Sequence, residues 1–208
     1  KDTSSNIKKW RYPPEVRYHD VEMAMVIIEN ETGAIRAMVG GSDFNESRFN
    51  RAVQSLRQPG SSFKPIVYST AMDNGASPCD SVNDAPSTMT DETAATGMWR
   101  PHNSEKNFEG MMTLRKALYR SKNIPAVLTA SKYGLSNVVN YARAFGIRKA
   151  PLVAVPSLAL GSVGATLLEM TSAYTVFPNL GTRIEPYMIE SIEDKNGEII
   201  EKNSKVES

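Results

Sequence analysis

The order of the apolar segments constrains the fold of this chain most strongly. Two short apolar runs at residues 22–28 and 34–39 flank a turn at residues 31–33, and together they predict a β-hairpin. Helical periods occupy the middle of the chain. A second hairpin is predicted over residues 187–201, where Asn196-Gly197 is typical of a type I′ turn. Strands, then helices, then strands predict an α+β domain.

The middle of the chain alternates amphipathic segments with segments that lack a period. Residues 76–110 are rich in Pro, Asp, Asn, Ser and Thr and predict a long irregular loop. Residues 1–20 also lack a period and predict an N-terminal arm, which leaves residues 21–208 as the folded domain. Apolar spacing and closing residues predict helices at about residues 61–74, 113–120, 124–133, 136–145 and 166–176.

Composition argues against several classes of function. The 208 residues carry 24 Lys and Arg against 23 Asp and Glu, and without a basic run this gives no reason to expect nucleic-acid binding. The sequence has one cysteine, Cys79, and two histidines, His19 and His102. These are few candidates for the ligands of a metal site or for the histidine of a Ser-His-Asp triad. The sequence has no apolar run long enough to span a membrane. No metal or other cofactor is therefore expected.

The composition still allows catalysis by a nucleophilic serine. The segment from Ser61 to Lys64 contains a candidate for that serine. This Ser-x-x-Lys motif follows Pro-Gly at a predicted helix start, so the lysine lies one turn after the serine on the same face. Unpaired backbone N–H groups at that terminus could hold an oxyanion. Taken alone, such a serine is more often a helix N-cap, although a capping box would carry Glu or Gln at the place of Lys64. Ser5 and Lys8 have the same spacing, but they lie in the polar arm.

A second motif makes Ser61 and Lys64 part of a set. Ser121 and Asn123 form a Ser-x-Asn motif between two predicted helices, where by itself it indicates a turn and a new N-cap. A neutral lysine amine can serve as the base for a serine when no histidine is present, and burial lowers a lysine pKa as this role requires. The Ser121 hydroxyl can relay a proton, and the Asn123 amide can hold Lys64 and a substrate amide.

From about residue 22 onward the chain resembles the transpeptidase domain of the class A penicillin-binding proteins. That resemblance implies an antiparallel sheet with helices packed on both faces, plus a helical subdomain. It also implies that Ser61 is the acylated nucleophile, Lys64 its general base, Ser121 a proton relay and Asn123 a stem-peptide ligand, with no cofactor. The matching stretches follow the family order at residues 31–41, 49–52, 57–65, 99–103, 121–123, 158–162 and 168–174.

The resemblance also implies a reaction and a location. Ser61 would attack the D-Ala-D-Ala amide of a peptidoglycan stem peptide, and an amine of a neighbouring strand would take the acyl group. β-Lactam antibiotics, which imitate that dipeptide, would acylate the same serine. The expected location is the extracytoplasmic face of a bacterial cell membrane, periplasmic or external. The parent protein would be membrane-anchored, with a glycosyltransferase domain before residue 1.

One family motif has no counterpart, since no lysine in the sequence is followed by Thr-Gly or Ser-Gly. Lys195-Asn196-Gly197 is similar, but it lies in the predicted hairpin turn, before the family position of that motif. We therefore expect a chain that stops short of the motif strand and is poorly active alone, either as a fragment or with another chain supplying the rest.

Four alternatives stay open: a D,D-carboxypeptidase, a β-lactamase, a β-lactam sensor and an inactive structural fragment. Glu169 is predicted to be a helix-start carboxylate rather than a deacylating base, which argues against a β-lactamase. Trp99 and His102 fit a cleft wall and a surface loop equally well.

Overall fold

The computed structural model describes residues 22–91, 93–105 and 107–203, so the predicted arm at residues 1–20 lies outside the described residues. It confirms the α+β class, but four short strands lie between the helices, where the sequence predicted a loop. The strands are β1 (Met25–Ile28), β2 (Ile35–Val39), β3 (Ser81–Asp84), β4 (Met89–Thr90), β5 (Met98–Trp99), β6 (Gly110–Thr113), β7 (Ser191–Glu193) and β8 (Ile199–Lys202). The helices are α1 (Arg51–Gln54), α2 (Lys64–Asp73), α3 (Leu114–Tyr119), α4 (Asn123–Tyr133), α5 (Leu135–Ala144) and α6 (Leu167–Thr175), with 3₁₀ turns at Gly60–Phe63 and Pro156–Leu160.

The first predicted hairpin is confirmed. Strands β1 and β2 pair antiparallel with Met25 opposite Val39. Gly33 closes the turn with a φ of +78°, and a Cβ there would lie 2.8 Å from the carbonyl oxygen of Glu185. Glycine is therefore required by both backbone conformation and space. Among the described residues each sheet is two-stranded, and α6 packs against β1.

The second hairpin, β7 with β8, is also confirmed, but the predicted type I′ turn was wrong. Only Gly197 has a positive φ in that turn, +85°, whereas a type I′ turn needs positive φ at both central residues. The Asp194 carboxylate explains the difference, because it accepts the backbone N–H groups of Asn196 and Glu198, both at 2.8 Å. These bonds hold a wider loop, and the strand register shifts beside it.

The segment at residues 76–110 is more ordered than its composition predicted. Strand β3 pairs with β6, and β4 pairs with β5, so the long loop is pinned by two antiparallel ladders. The expectation of an irregular loop was wrong here because strands of two to four residues leave no detectable period, and their partners are distant in sequence.

Helix α2 is the central element of the core. Its side chains pack against α4, α5 and the second 3₁₀ turn. Separately, none of the helices in the described ranges has the length and apolarity to cross a bilayer. Because α2 is buried on most sides, its first residue is held rigidly. The main cluster includes Phe63, Ile66, Val67, Val127, Val138 and Leu158, and a smaller one contains Tyr68, Met112, Leu114, Ala117 and Ala126.

Helix α6 begins with a capping box built by Thr166 and Glu169. The Glu169 carboxylate accepts the backbone N–H groups of Thr166 at 2.9 Å, Arg148 at 2.8 Å and Lys149 at 2.7 Å. Burial alone would raise the pKa of this carboxyl, but the three N–H donors outweigh it and lower the pKa. Glu169 is thus confirmed as a helix-start carboxylate, and it ties α6 to the loop after α5.

We predict that Glu169→Ala lowers the free energy of unfolding by about 3 kcal/mol, because it leaves one buried and two part-buried backbone donors without their acceptor. Urea unfolding measures this, with the exposed Glu193→Ala as control. Since the folded-state pKa is lowered, the contribution is present above the pKa of the unfolded carboxyl and is lost as the pH falls through the folded value. A loss below 1 kcal/mol at neutral pH would contradict the assignment.

Candidate active site

The two predicted motifs meet at the side chain of Lys64. Its Nζ lies 3.1 Å from Ser61 Oγ and 3.1 Å from Ser121 Oγ. The amine also donates to the Ser121 carbonyl oxygen at 2.6 Å and to Asn123 Oδ1 at 2.7 Å. All four predicted site residues therefore form one cluster, whereas Ser5 and Lys8 lie outside the described residues.

Ser61 lies in a 3₁₀ turn rather than at the start of an α-helix, so the predicted boundary was wrong. The turn spans Gly60–Phe63, and α2 begins at Lys64, whose backbone N–H bonds to the Ser61 carbonyl. No side chain of the described residues caps α2, so Ser61 is not its N-cap. The Ser61 hydroxyl is exposed and faces the amine, while Phe63 is fully buried and anchors the turn.

Two segments that are distant in sequence contact this turn. Gly161, at the end of the second 3₁₀ turn, has a φ of +69°, and a Cβ there would lie 2.3 Å from the carbonyl oxygen of Gly60. The hydroxyl of Tyr174, on α6, donates to the Ser62 carbonyl at 2.7 Å. The backbone around Ser61 is thus fixed by close contact and by a hydrogen bond.

Ser121 has a strained backbone that serves the cluster. Its φ is +53°, a left-handed conformation that costs a non-glycine residue of the order of 1 kcal/mol. The N–H groups of Ser121 and Lys122 bond to the carbonyls of Leu118 at 2.9 Å and Ala117 at 3.0 Å, which ends α3. In this conformation both the carbonyl and the hydroxyl of Ser121 reach Lys64.

The orientation of the Asn123 amide follows from its neighbours. Its Nδ2 donates to the His102 carbonyl at 2.7 Å, so Oδ1 must point to Lys64. Among the described residues His102 is the one acceptor for Nδ2, so its second hydrogen can bind a ligand. His102 contributes its backbone to the site while its ring is exposed, and Trp99 is half-buried against the main core.

Lys64 is only 1% exposed, and none of its hydrogen-bond partners in the described chain is a carboxylate. Burial lowers the pKa of its amine to about 8. A neutral amine has two N–H groups, which satisfy the Ser121 carbonyl and Asn123 Oδ1. Its lone pair then faces the Ser61 and Ser121 hydroxyls, the geometry that a base for a serine proton needs.

A large cavity of about 830 Å³ opens beside the cluster, between the first hairpin and α6. Ser62 and Tyr174 line it, but Ser61 and Lys64 do not. In the described parts of the chain, no group of three or more His, Cys, Asp or Glu side chains is placed to hold a metal ion.

Comparison with known proteins gives a consistent result. Residues 23–208 match the penicillin binding protein transpeptidase domain family. The chain is 41% identical over 179 residues to penicillin-binding protein 1A of Pseudomonas aeruginosa, covering 86% of this chain and 22% of that protein. It is 42% identical over 176 residues to penicillin-binding protein 1A of Neisseria meningitidis serogroup B, covering 85% and 22%. The chain therefore spans about a fifth of the length of these relatives.

Solved structures agree with the sequence matches. Penicillin-binding protein 1A from Haemophilus influenzae superposes with a TM-score of 0.79 at 37% identity, over 88% of this chain and 27% of that one. The PonA1 protein from Mycobacterium tuberculosis, solved in complex with penicillin V, gives a TM-score of 0.75 at 25% identity, over 88% and 51%. With its Ser-x-x-Lys and Ser-x-Asn motifs joined at one buried amine, the chain belongs to the penicillin-binding protein transpeptidase family.

Proposed function

We propose that this chain is the D,D-transpeptidase part of a longer penicillin-binding protein and that it cross-links peptidoglycan stem peptides at D-Ala-D-Ala. One observation carries the proposal: a buried lysine amine lies 3.1 Å from each of two exposed serine hydroxyls. The family match and the identity of about 40% to penicillin-binding proteins 1A support it. Neither nucleic acid nor a cofactor has a part in this proposal.

The proposed reaction begins with neutral Lys64, which accepts the proton of Ser61. The Ser61 oxygen then attacks the carbonyl carbon of the penultimate D-Ala. When the C–N bond breaks, Ser121 passes the proton from Lys64 to the departing D-Ala amine, and the acyl group stays on Ser61. An amine of a second strand then attacks the ester carbonyl carbon and gives its proton through Ser121 to Lys64. The ester C–O bond breaks, Lys64 returns the proton to the Ser61 oxygen, and the cross-linked amide is released.

The same serine is the proposed target of β-lactams, whose ring carbonyl takes the place of the D-Ala amide. The free amide hydrogen of Asn123 is proposed to bind the stem peptide or the antibiotic. Glu169 is committed to backbone N–H groups, which supports transfer to an amine over β-lactamase-type hydrolysis. The relative solved in complex with penicillin V supports antibiotic binding.

The setting of the reaction is part of the same proposal. Residues 21–208 would form the transpeptidase domain without its C-terminal strands, on the extracytoplasmic face of the cell membrane. A membrane anchor and a glycosyltransferase domain would lie in the remainder of the parent protein, and the similarity to penicillin-binding protein 1A supports this arrangement.

We predict that a fluorescent penicillin labels the full-length protein at Ser61 and that Ser61→Ala abolishes the label, because Ser61 is the proposed nucleophile of the two serines that lie 3.1 Å from the Lys64 amine and Ser121 is the proposed relay. Peptide mapping by mass spectrometry locates the adduct. Ser62→Ala is the matched control, since Ser62 is the exposed neighbour and should leave labelling intact. An unlabelled wild-type protein, or an adduct that survives Ser61→Ala, would overturn the nucleophile assignment.

The lowered pKa of Lys64, about 8, predicts the pH dependence of acylation. Below pH 8 the amine is protonated and cannot accept the serine proton, so the rate constant should rise about tenfold per pH unit and level off above that value. Stopped-flow measurements with penicillin V between pH 6 and 10 test this.

Lys64→Arg should slow acylation by about 10²–10⁴-fold, because a guanidinium does not deprotonate in this range. Lys132→Arg, on the exposed face of α4, serves as the control. A flat pH profile in the wild-type protein would contradict a lysine base.

A further inference from the structure

We propose that Asn103 and Asp84 are positioning residues that fix the Ser121–Asn123 turn against Lys64. This inference rests on the proposed function, because it concerns how the acylation machinery is held. Neither residue was singled out for such a role by the sequence motifs. The geometry links them to the active-site cluster through one chain of buried hydrogen bonds.

Asn103 connects that chain to α4. Its Oδ1 accepts the backbone N–H of Asn123 at 3.0 Å and lies 3.4 Å from that of Ile124, so it satisfies donors at the start of the helix. Its Nδ2 donates to Asp84 Oδ1 at 2.7 Å and to the Asn107 carbonyl at 3.1 Å. Asn103 is 9% exposed and has every amide atom engaged.

Asp84 sets the orientation of Asn103. It is fully buried at the end of β3, and its second oxygen accepts the Glu109 backbone N–H at 3.0 Å. A carboxylate only accepts hydrogen bonds, so the Asn103 NH₂ must face it and the Asn103 oxygen must face α4. A flipped Asn103 would place a donor against the Asn123 N–H.

Lys122 ties the same turn to the same carboxylate. Its ammonium is 4% exposed and lies 2.9 Å from Glu109 Oε1 and 3.7 Å from Asp84 Oδ2. Hydrogen bonds from Lys122, Lys116 and Arg120 lower the pKa of Glu109 to about 2, so this ion pair persists across the range in which acylation is measured. The residue between Ser121 and Asn123 is therefore anchored independently of Lys64.

The consequence concerns two of the four oxygen atoms around the amine. The Ser121 carbonyl and Asn123 Oδ1 take the two N–H groups of neutral Lys64, which leaves the lone pair on the side of the Ser61 and Ser121 hydroxyls. If Asn103 released the start of α4, both acceptors would shift. Displacements near 1 Å from remote changes can cost about 10²-fold in rate.

The test exchanges the two side chains in the full-length protein. Asn103→Asp sets two carboxylates against each other. Asp84→Asn leaves either the Asn103 amide or the Glu109 N–H without an acceptor. In the double variant, the carboxylate at position 103 accepts the Asn123 N–H and the new amide at position 84, whose oxygen accepts from Glu109. The exchange thus restores the bond between the two positions and the acceptor for Asn123, while the Asn107 carbonyl loses the donor that Asn103 supplied.

The readout is acylation of Ser61 by penicillin V, resolved into a limiting rate and a half-saturating concentration. We expect Asn103→Asp to lower the limiting rate at least tenfold, Asp84→Asn to lower it threefold to tenfold, and the double variant to return within about threefold of wild type. Thr166→Ala also removes a helix-start acceptor, the cap of α6, and should leave the limiting rate unchanged.

The inference fails if the double variant is no faster than Asn103→Asp, or if Thr166→Ala slows acylation as much as Asn103→Asp does. Should Asn103→Asp not fold, the double variant must still match or exceed Asp84→Asn. A wild-type protein that is not acylated at Ser61 would instead overturn the proposed function, and this inference with it.

Discussion

The arrangement of this molecule depends on a buried lysine amine that has no carboxylate among its hydrogen-bond partners in the described residues. Taking an ammonium out of water is costly, and this cost lowers the pKa of Lys64 to about 8, so that a fraction of the amine is neutral near neutral pH. Oxygen atoms surround the amine. When this amine is neutral, its two N–H groups are taken by the Ser121 carbonyl and Asn123 Oδ1. Its lone pair then points to the serine hydroxyls, so the amine can act as their base.

The elements of the fold can be understood as the means of holding those oxygen atoms in place. The rigid, buried helix α2 carries the amine and, one 3₁₀ turn earlier, the Ser61 hydroxyl. The junction of α3 and α4 supplies the other three oxygens from Ser121 and Asn123, at the cost of a left-handed serine. A strained backbone conformation of this kind persists only where the surrounding structure holds it in place. Here the end of α3 and the start of α4, on either side of Ser121, are both bonded to buried groups.

The sequence predicted which side chains meet better than it predicted the backbone geometry that holds them. Both hairpins, the helices and the Ser61, Lys64, Ser121 and Asn123 set could be predicted, because apolar periods and short motifs are local features. The 3₁₀ turn at Ser61, the positive φ of Ser121 and the pairing of β3 with β6 could not, since each is set by partners distant in sequence. Asp84 and Asn103 were missed for the same reason: 18 intervening residues separate two side chains that are in direct contact.

The central claim is the protonation state of Lys64, and it can be measured without any reaction. Lysine labelled with ¹³C at Cε and ¹⁵N at Nζ would be incorporated and titrated by NMR, with the Lys64 signal assigned by its loss in Lys64→Arg. The structure predicts a midpoint near pH 8 for this one signal. A midpoint at the ordinary lysine value of about 10.4 would leave almost no neutral amine near neutral pH and would contradict the lysine base.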